Sequence, residues 1–455
     1  MPEIREHWGN KLGFILAAAG SAVGLGNIWK FPYITGENGG AAFVIIYLIC
    51  ILIVGVPVLI AEVLLGRYTQ RGPVTSFRLY AKKHRPFWIG AGGLFFLTGV
   101  VILSYYNVVA GWSAGYVIES ISGKIAALSS SGDAALHFQE RVSDPAWILF
   151  FQFLFVTAGG LVVYFGVKNG IEKIARLLMP VFFIILIMLV IWGMSLDGSR
   201  AGLEFLWKPD WSTVTFNTVL IALGHAFFTL SVGMGVLLTY GSYLKRNDNV
   251  FFCGVMIAIL DTVIALLAGL AIFTSVFAMG FDPAEGPGLV FNVLPAVFAN
   301  MPGGSIFSLL FFSLLSIAAL TSTISILEML VSTLLDETRG SRHRIVIATS
   351  AAIFILGIPS ALSFGEWSGV QLFGRTVFDL MDYLSANILL PLGGMLVAVF
   401  VGWYMKKQEV HDELLRGFGM SLSKKRTAAV WFKLVKYAAP VLIFLVFLSA
   451  IGVLS

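Results

Sequence analysis

Long apolar stretches follow one another along almost the whole chain, with short polar segments between them. Each stretch is long enough to cross about 30 Å of hydrocarbon as a helix, in some cases with a tilt or a break. A membrane β-barrel would instead show alternating apolar and polar residues, and this alternation is absent from the sequence. The pattern predicts an all-α polytopic membrane protein with eleven transmembrane helices, at residues 11–36, 41–65, 87–121, 146–166, 170–195, 214–243, 250–280, 306–335, 344–361, 375–404 and 430–454.

Composition and charge agree with a membrane location. Hydrophobic residues make up 58% of the chain and charged residues 12%, whereas about 25% of the residues in soluble domains are charged. With the N-terminus in the cytoplasm, the inner segments 67–85 and 406–426 each hold six lysines and arginines, and the outer segment 280–305 holds none. Positive residues favour the cytoplasmic side. We therefore predict a multi-pass protein of the bacterial inner membrane, with the N-terminus cytoplasmic and, after eleven helices, the C-terminus extracytoplasmic.

Glycine clusters interrupt the first and the sixth predicted helix. Residues 22–26 read Ala-Val-Gly-Leu-Gly, and residues 231–235 read Ser-Val-Gly-Met-Gly. Each glycine weakens a helix by about 1 kcal/mol relative to alanine. Broken helices at corresponding positions of two halves indicate a transporter site between inverted repeats. The alternative is close helix packing through small residues, which the spacing of Gly20 and Gly24 also fits.

The matched breaks predict one transporter domain that is built from two related halves. An odd number of helices in each half makes the halves opposite in topology. The predicted organisation is a single domain over 1–455, with a first five-helix repeat at 11–195, a second, inverted five-helix repeat at 214–404, and an additional helix 11 at 430–454.

Polar side chains with oxygen atoms lie in or beside the apolar stretches. They are Asn27, Thr229, Asp261, Thr321 and Ser322. An intramembrane carboxylate such as Asp261 costs several kcal/mol and indicates a functional site. The alternative is a structural partner for another buried polar group. Unwound backbone at the breaks adds carbonyls that suit a cation and amides that suit a carboxylate, so a zwitterionic amino acid fits both.

The motifs around these residues resemble those of the neurotransmitter:sodium symporter family, and most closely its bacterial amino-acid transporters of the LeuT and MhsT type. The matching motifs are Arg5-Glu6-His7-Trp8-Gly9, the Gly-Ser-Ala-Val-Gly-Leu-Gly-Asn-Ile-Trp-Lys-Phe-Pro run at 20–32, Glu37-Asn38-Gly39-Gly40 and Phe227-Phe228-Thr229-Leu230-Ser231. The resemblance covers nearly the whole chain. It implies a LeuT-like 5+5 inverted repeat with broken helices 1 and 6, and sodium symport coupled to amino-acid transport.

The resemblance also implies roles for the matched positions. One Na⁺ would be bound by Ala22, Asn27, Thr229 and Asp261, with the substrate carboxylate as a further ligand. A second Na⁺ would be bound by Gly20, Val23, Ala318, Thr321 and Ser322. The substrate-binding residues would be Ala22, Gly24, Leu25, Gly26, Ile102, Tyr106, Phe228, Thr229, Ser231, Met234 and Ile326. The Tyr106 hydroxyl would reach the substrate carboxylate.

Gates and a hinge are implied in the same way. Lys30 and Asp382 would form an outer gate. Arg5 and Asp336 would form the inner pair, with Trp8 and Tyr243 covering it. Gly170 and Pro180 match the family motif at which helix 5 unwinds, and a proline removes a backbone hydrogen bond locally. The alternative for each charge is a side chain that snorkels to the membrane interface.

The substrate prediction depends partly on absent charges. No acidic residue stands at Gly24, where monoamine carriers have one, so the substrate should supply its own carboxylate. The side-chain subsite of Ile102, Phe228, Met234 and Ile326 has no charge, which predicts hydrophobic L-amino acids, aliphatic and aromatic. Asp261 replaces a more usual asparagine, and Ala265 and His225 depart from the common pattern as well. Dependence on chloride therefore stays open.

Other function classes are weaker. A channel needs a continuous polar lining, and an intramembrane enzyme needs a nucleophile with a base. The Gly-x-Ser-x-Gly match at 111–115 lies inside an apolar helix and does not form a nucleophile elbow. A membrane sensor on the same fold and a carrier of another small amino-acid-like solute stay open. The expected partners are a hydrophobic amino acid, sodium and the lipid bilayer, without nucleic acid. The sequence leaves the oligomeric state open.

Overall fold

The structure is a computed structural model that describes residues 5–128, 130–284, 286–338, 340–417 and 421–453. Regular structure in these residues is almost entirely helical, which confirms the all-α prediction. The helices are α1 (Lys11–Ala22), α2 (Gly26–Glu37), α3 (Ala41–Thr69), α4 (Pro73–Tyr80), α5 (Arg85–Ile121), α6 (Ser131–Ser143), α7 (Pro145–Tyr164), α8 (Val167–Met194), α9 (Ser199–Trp207), α10 (Phe216–Thr229), α11 (Val236–Gly241), α12 (Val250–Ala278), α13 (Leu294–Asn300), α14 (Gly304–Thr338), α15 (Arg342–Leu362), α16 (Val377–Tyr404), α17 (Lys407–Leu415) and α18 (Leu422–Ala450). Two short strands, β1 (Gln371–Leu372) and β2 (Arg375–Thr376), form an antiparallel hairpin.

The first break separates α1 from α2. Asn10 caps α1 by accepting a hydrogen bond from the Gly13 N–H at 2.8 Å. The helix ends at Ala22 because Val23 is extended, with φ −70° and ψ 98°. The axes of α1 and α2 differ by 48°. The predicted interruption of helix 1 is therefore present, and it leaves backbone groups around residues 22–25 outside the helical hydrogen-bond pattern.

The second break separates α10 from α11. Residues Ser231, Gly233 and Gly235 have φ values of 52°, 89° and 76°, which belong to the left-handed region. At Gly233 a Cβ atom would lie 2.2 Å from the carbonyl oxygen of Leu390. The segment needs glycine because α16 packs directly against its backbone.

This packing gives a stability prediction. Gly233→Ala should lower the apparent melting temperature of the purified protein, because the new methyl group adds a steric clash of about 1–3 kcal/mol to an unfavourable φ. Gly280→Ala is the matched control, since Gly280 also has a positive φ of 73° but meets no atom within 4 Å. Equal losses in the two variants, measured by thermal unfolding in detergent, would contradict the packing explanation.

The number of membrane crossings is close to the predicted one. In the described part of the chain, nine helices are long and apolar enough to cross a membrane, and the bent pair of α1 and α2 makes a tenth. The predicted sixth span corresponds to α10 and α11, and α10 alone has 14 residues. The count of eleven and the boundaries of the two repeats stay predictions.

The long helices carry large apolar side chains on their outer faces. Leu52, Phe150 and Ile191 are 67%, 60% and 64% exposed. In a soluble protein such surfaces would promote association. On helices of this length they are the faces that contact acyl chains. Within the bundle, α14 packs along α5 and against α1, and α10 packs against α3 and α18.

A buried arginine joins the end of α3 to α17 and to the segment before α12, both of which lie far away in the sequence. Arg67 is 0% exposed, and its Nε donates to Oε1 of Glu413 at 2.8 Å. The guanidinium also donates to the backbone carbonyls of Asp248 and Glu413. Arg416 pairs with the second carboxylate oxygen of Glu413 at 3.3 Å. This Arg67 clasp fixes α17 against the end of α3.

Candidate functional site

The two helix breaks meet at the centre of the bundle. The backbone carbonyl of Ser21 in α1 accepts hydrogen bonds from the Ser231 hydroxyl at 3.0 Å and from the Ser322 hydroxyl of α14 at 3.1 Å. The Leu25 N–H donates to the Tyr106 hydroxyl of α5 at 3.3 Å. The structure thus brings residues from both broken helices together with α5 and α14.

Gly24 and Gly26 allow this close approach. A Cβ at Gly24 would lie 2.6 Å from the Ser322 hydroxyl oxygen and 2.9 Å from that of Tyr106. A Cβ at Gly26 would lie 3.2 Å from the Phe228 ring. A side chain at Gly24 would therefore collide with the hydroxyls of Ser322 and Tyr106.

A buried cluster of oxygen atoms lies beside the breaks. Asn27, Thr229 and Asp261 are each 0% exposed. The Asn27 amide donates to Oδ1 of Asp261 at 2.7 Å, and the Thr229 hydroxyl lies 3.1 Å from both Asp261 oxygens. Both donors are neutral, so the carboxylate charge is not balanced by them, and a cation would stabilise it. These three predicted ligands of the first sodium site are adjacent in the fold, and Ala22 lies at the end of α1 beside them.

The residues predicted for the second sodium site lie between α1 and α14. A Cβ at Gly20 would contact Thr321 Cβ at 3.4 Å, so the two helices approach closely. The Thr321 hydroxyl donates to the Ala318 carbonyl at 2.9 Å. Val23 is the extended residue after α1, and it is fully buried. The structure therefore places Gly20, Val23, Ala318, Thr321 and Ser322 on two facing segments.

Three hydrophobic residues predicted for the substrate subsite are buried. Ile102, Met234 and Ile326 are 3%, 4% and 4% exposed. Phe228 packs its ring on Gly26. The hydroxyls of Tyr106 and Ser231 bond to backbone groups of the first helix break. The Thr323 hydroxyl of α14 donates to the Asn107 side chain of α5 at 3.0 Å.

The segment that precedes α1 closes one end of the bundle. One Arg5 nitrogen, Nη1, lies 2.9 Å from both carboxylate oxygens of Asp336. The other, Nη2, donates to Ser242 at 2.6 Å and to Ser332 at 2.8 Å. The Arg5 guanidinium also lies 4.7 Å from the Tyr243 ring centroid. We name these five residues the Arg5 cluster.

Trp8 closes the same end. It is 3% exposed, and its indole N–H donates to the Tyr240 carbonyl at 3.0 Å. Its backbone N–H donates to the Tyr243 carbonyl at 3.2 Å. Trp8 and Tyr243, the two aromatic residues predicted to cover the inner pair, thus lie at the same end of the bundle as the contact between Arg5 and Asp336.

The predicted outer pair is not in contact. The Lys30 ammonium lies 4.2 Å from the centroid of the Phe228 ring. Asp382 attracts Lys30 electrostatically, but the ion pairs of the described residues do not include these two side chains. One end of the bundle is therefore closed by direct ionic contacts, whereas the charged pair at the other end is separated.

The predicted hinge residues lie in α8. A Cβ at Gly170 would come within 2.1 Å of the Val162 carbonyl of α7, so this turn is tightly packed. The first turns, from Val167 to Glu172, form a π-helix, and Pro180 lies in the α-helical interior. The wide turn and the proline both weaken the hydrogen-bond pattern at the start of α8.

Two acidic residues at this end were not predicted as site residues. The Glu6 carboxylate accepts from the Val167 N–H at 2.7 Å, and the Glu172 carboxylate accepts from the Gly9 N–H at 2.7 Å. The segment before α1 and the start of α8 are therefore joined by two hydrogen bonds, and each segment supplies one of the two carboxylates.

Glu328 was also missed. It is 0% exposed, accepts from the Tyr243 hydroxyl at 2.6 Å and pairs with Arg342. Glu328 is a carboxylate inside the apolar stretch 306–335. Its position in the sequence could therefore have indicated a functional residue, as that of Asp261 did. Glu62, which accepts from the Gly233 N–H at 2.7 Å, supports the break between α10 and α11.

Comparison with known proteins identifies the family. The sequence model of the sodium:neurotransmitter symporter family matches residues 5–135 and 133–455. The chain belongs to this family. The resemblance carried by its motifs is thereby confirmed, and the protein is a sodium-dependent symporter and not an enzyme.

Similar proteins cover almost the same length as this symporter. A Bacillus subtilis (strain 168) protein, described as the uncharacterized sodium-dependent transporter YhdH, is 39% identical over 98% of both chains. A Haemophilus influenzae protein described in the same terms is 37% identical over 98% of both chains. The crystal structure of MhsT in complex with L-phenylalanine matches with a TM-score of 0.89 and 42% identity, over 98% of this chain and 100% of that one. This symporter therefore has the LeuT-type fold and is a multi-pass membrane protein that transports sodium with its substrate.

Proposed function

We propose that this symporter takes up hydrophobic L-amino acids, both aliphatic and aromatic, together with two sodium ions. The observation that supports the proposal is that polar groups at the helix breaks occur together with buried hydrophobic side chains that carry no charge. The substrate carboxylate would meet the amides of Gly24, Leu25 and Gly26 and the Tyr106 hydroxyl. The ammonium would meet the carbonyls of Ala22, Phe228 and Thr229 and the Ser231 hydroxyl.

The hydrophobic residues set the side-chain preference. The side chains of Ile102, Phe228, Met234 and Ile326 carry no charge of their own, and Lys30 is the cation beside them, 4.2 Å from the Phe228 ring. Burying an unpaired charge among the four hydrophobic side chains would cost several kcal/mol. Methionine is unbranched and can change shape, so one pocket can accept leucine as well as tryptophan. The phenylalanine bound in the similar MhsT structure supports this substrate class.

Sodium would bind on both sides of the break in helix 1. The first ion would take oxygens from Ala22, Asn27, Thr229 and Asp261 and from the substrate carboxylate. Shared use of the carboxylate couples the ion to the substrate, because each increases the affinity for the other. The second ion would lie between α1 and α14, where it would hold the two segments together.

Alternating access would follow from the two gates. We place the N-terminus in the cytoplasm of a bacterial cell, so the Arg5 cluster is the inner gate and Lys30 with Asp382 is the outer gate. The closed Arg5 contact and the separated outer pair support an arrangement that is sealed towards the cytoplasm. The Gly170 and Pro180 region would open the inner path by unwinding the start of α8.

Uptake into proteoliposomes tests the function. A panel of radiolabelled amino acids should show concentrative uptake of Leu, Ile, Val, Met, Phe, Tyr and Trp with an inward sodium gradient, and no uptake of Asp, Glu, Lys or Arg. A sensor on the same fold would bind without concentrating its ligand. Equal uptake on a potassium gradient would contradict sodium coupling. Transport of tryptamine as efficiently as tryptophan would contradict the role of the carboxylate.

Pocket size gives a sharper prediction. Met234→Phe should reduce tryptophan uptake more than leucine uptake, because the larger ring overfills the subsite at a cost of about 1–3 kcal/mol. Competition of unlabelled tryptophan and leucine against labelled leucine measures the ratio. Met188→Phe is the matched control, since Met188 is 41% exposed on α8. An unchanged ratio in Met234→Phe would place Met234 outside the side-chain subsite.

A further inference from the structure

A polar cavity lies between the start of α8 and the residues just before α1. Its volume is about 500 Å³, and it is lined by Gly9, Asn10, Lys168, Asn169, Glu172, Lys173 and Arg176. Three of these side chains are cationic and one is acidic. The cavity is distinct from the central site, and the transport mechanism does not use its lysines.

The acidic residue in this cavity is already engaged. Glu172 is 3% exposed, accepts from the Gly9 N–H at 2.7 Å and pairs with Arg176. In the described part of the chain, neither Lys168 nor Lys173 takes part in an ion pair. The side-chain oxygen Oδ1 of Asn10 caps α1, which leaves the N–H groups of the Asn10 side-chain amide as donors. The cavity therefore presents unbalanced positive charge and hydrogen-bond donors, and this chemistry suits a phosphate.

The position of the cavity indicates where the phosphate would come from. Lys173 begins the α-helical part of α8, and one turn further on the same face lies Leu177, which is 61% exposed. The face continues with Val181 and Ile184, which are 39% and 58% exposed. On the other side of the cavity, Leu12 of α1 is 59% exposed. The cations thus lie where the lipid-facing surface of α8 begins, at the level expected for headgroups.

We propose that this cavity binds the phosphate of an anionic phospholipid, whose acyl chains lie along the exposed apolar face of α8. Basic pockets at the end of membrane helices are typical sites for such headgroups. Because Gly9 and Asn10 form one wall and α8 forms the other, the lipid bridges the segment that carries Arg5 and Trp8 to the start of α8. The bound lipid stabilises the closed arrangement of the Arg5 cluster.

Lipid binding to the purified protein tests the proposal without substrate or a sodium gradient, so its outcome is independent of the proposed transport function. Phosphatidylglycerol is titrated into detergent micelles, with phosphatidylcholine as the neutral comparison, and bound lipid and melting temperature are followed by native mass spectrometry and thermal unfolding. The double variant Lys168→Gln with Lys173→Gln should bind phosphatidylglycerol at least about tenfold more weakly than the wild type. The double variant Lys82→Gln with Lys83→Gln is the matched control, because these two exposed lysines lie outside the cavity.

Each outcome decides the proposal. Selective loss of phosphatidylglycerol binding in the Lys168 and Lys173 variant, with an unchanged melting temperature in phosphatidylcholine, supports it. Equal losses in both double variants would show unspecific attraction to surface charge and overturn it. Stabilisation of the wild type by inorganic phosphate alone, with no further effect of the lipid, would assign the cavity to a free anion and overturn the lipid as ligand. Absence of any phosphatidylglycerol effect would overturn it as well.

Discussion

Asn27→Ala and Thr321→Ala are each expected to raise the sodium concentration needed for half-maximal uptake by at least about tenfold, which corresponds to about 1.4 kcal/mol. Asn27 is completely buried, its Nδ2 donates to Asp261 at 2.7 Å, and its Oδ1 lies at the helix break, where it accepts from the Gly24 N–H at 3.2 Å. The alanine substitution removes this oxygen from the first proposed sodium site. Thr321 faces Gly20 across the second proposed site. In the proposed arrangement the first ion shares the substrate carboxylate, so the apparent affinity for the amino acid should fall as well in Asn27→Ala.

Thr333→Ala is the matched control for Thr321→Ala. Thr333 lies on the same helix, and its hydroxyl donates to the Met329 carbonyl at 2.7 Å, much as Thr321 donates to Ala318. The two substitutions remove the same group from similar helical surroundings, but only Thr321 lies beside the break of helix 1. Sodium titrations of uptake in proteoliposomes compare them. A similar sodium dependence in both threonine variants would mean that Thr321 does not bind the second ion.

Arg5→Ala is expected to open the end of the bundle that the Arg5 cluster closes. Arg5 and Asp336 are 11% and 9% exposed, and Asp336 also lies 3.9 Å from Arg71, so the carboxylate keeps a partner when Arg5 is removed. Loss of a charge-assisted hydrogen bond of this kind costs about 1.5–3 kcal/mol. The fraction of open molecules should therefore rise by about one to two orders of magnitude. Hydrogen–deuterium exchange in a peptide over residues 5–22 should become much faster, and concentrative uptake should be lost because the inner path no longer closes.

The neighbouring ion pair supplies the control. Arg78 pairs with Glu337 at 2.6 Å, one residue beyond Asp336, but the two side chains are 33% and 25% exposed. An exposed pair contributes only about 0–1 kcal/mol. Arg78→Ala should leave exchange over residues 5–22 and uptake close to the wild type. If Arg5→Ala left the exchange of this peptide unchanged, the Arg5 contact would not be a gate.

The breaks and the first oxygen cluster could be predicted because their signals are local. Glycines at 24, 26, 233 and 235 interrupt apolar stretches. Asp261 is a carboxylate inside an apolar stretch, where a helix that faces only lipid would have no charged residue. The family resemblance then predicted that residues far apart in the chain belong to the same site. Asn27 and Thr229 indeed each lie within hydrogen-bond distance of Asp261.

Other contacts could not be predicted from the sequence for physical reasons. The partners Glu6 with Val167 and Glu172 with Gly9 meet across about 160 residues of sequence, and their carboxylates bind backbone amides, which carry no sequence signal. The separation of Lys30 from Asp382 depends on which arrangement of the bundle is present, and one sequence encodes all arrangements of a transporter. The exact number of crossings depends on how α10 and α11 together meet the membrane.

The Arg67 clasp has a consequence for biosynthesis. Arg67 is bonded to Glu413, which lies 346 positions later in the chain. A ribosome adds about 5–20 residues per second, so Arg67 waits for its partner for roughly 20 to 70 seconds after it leaves the ribosome. During this time the guanidinium should stay in water or among headgroups. Burying its charge would be costly before the Glu413 carboxylate is present to pair with it. The contacts that bury Arg67 at the end of α3 can therefore be completed only after α17 has been made.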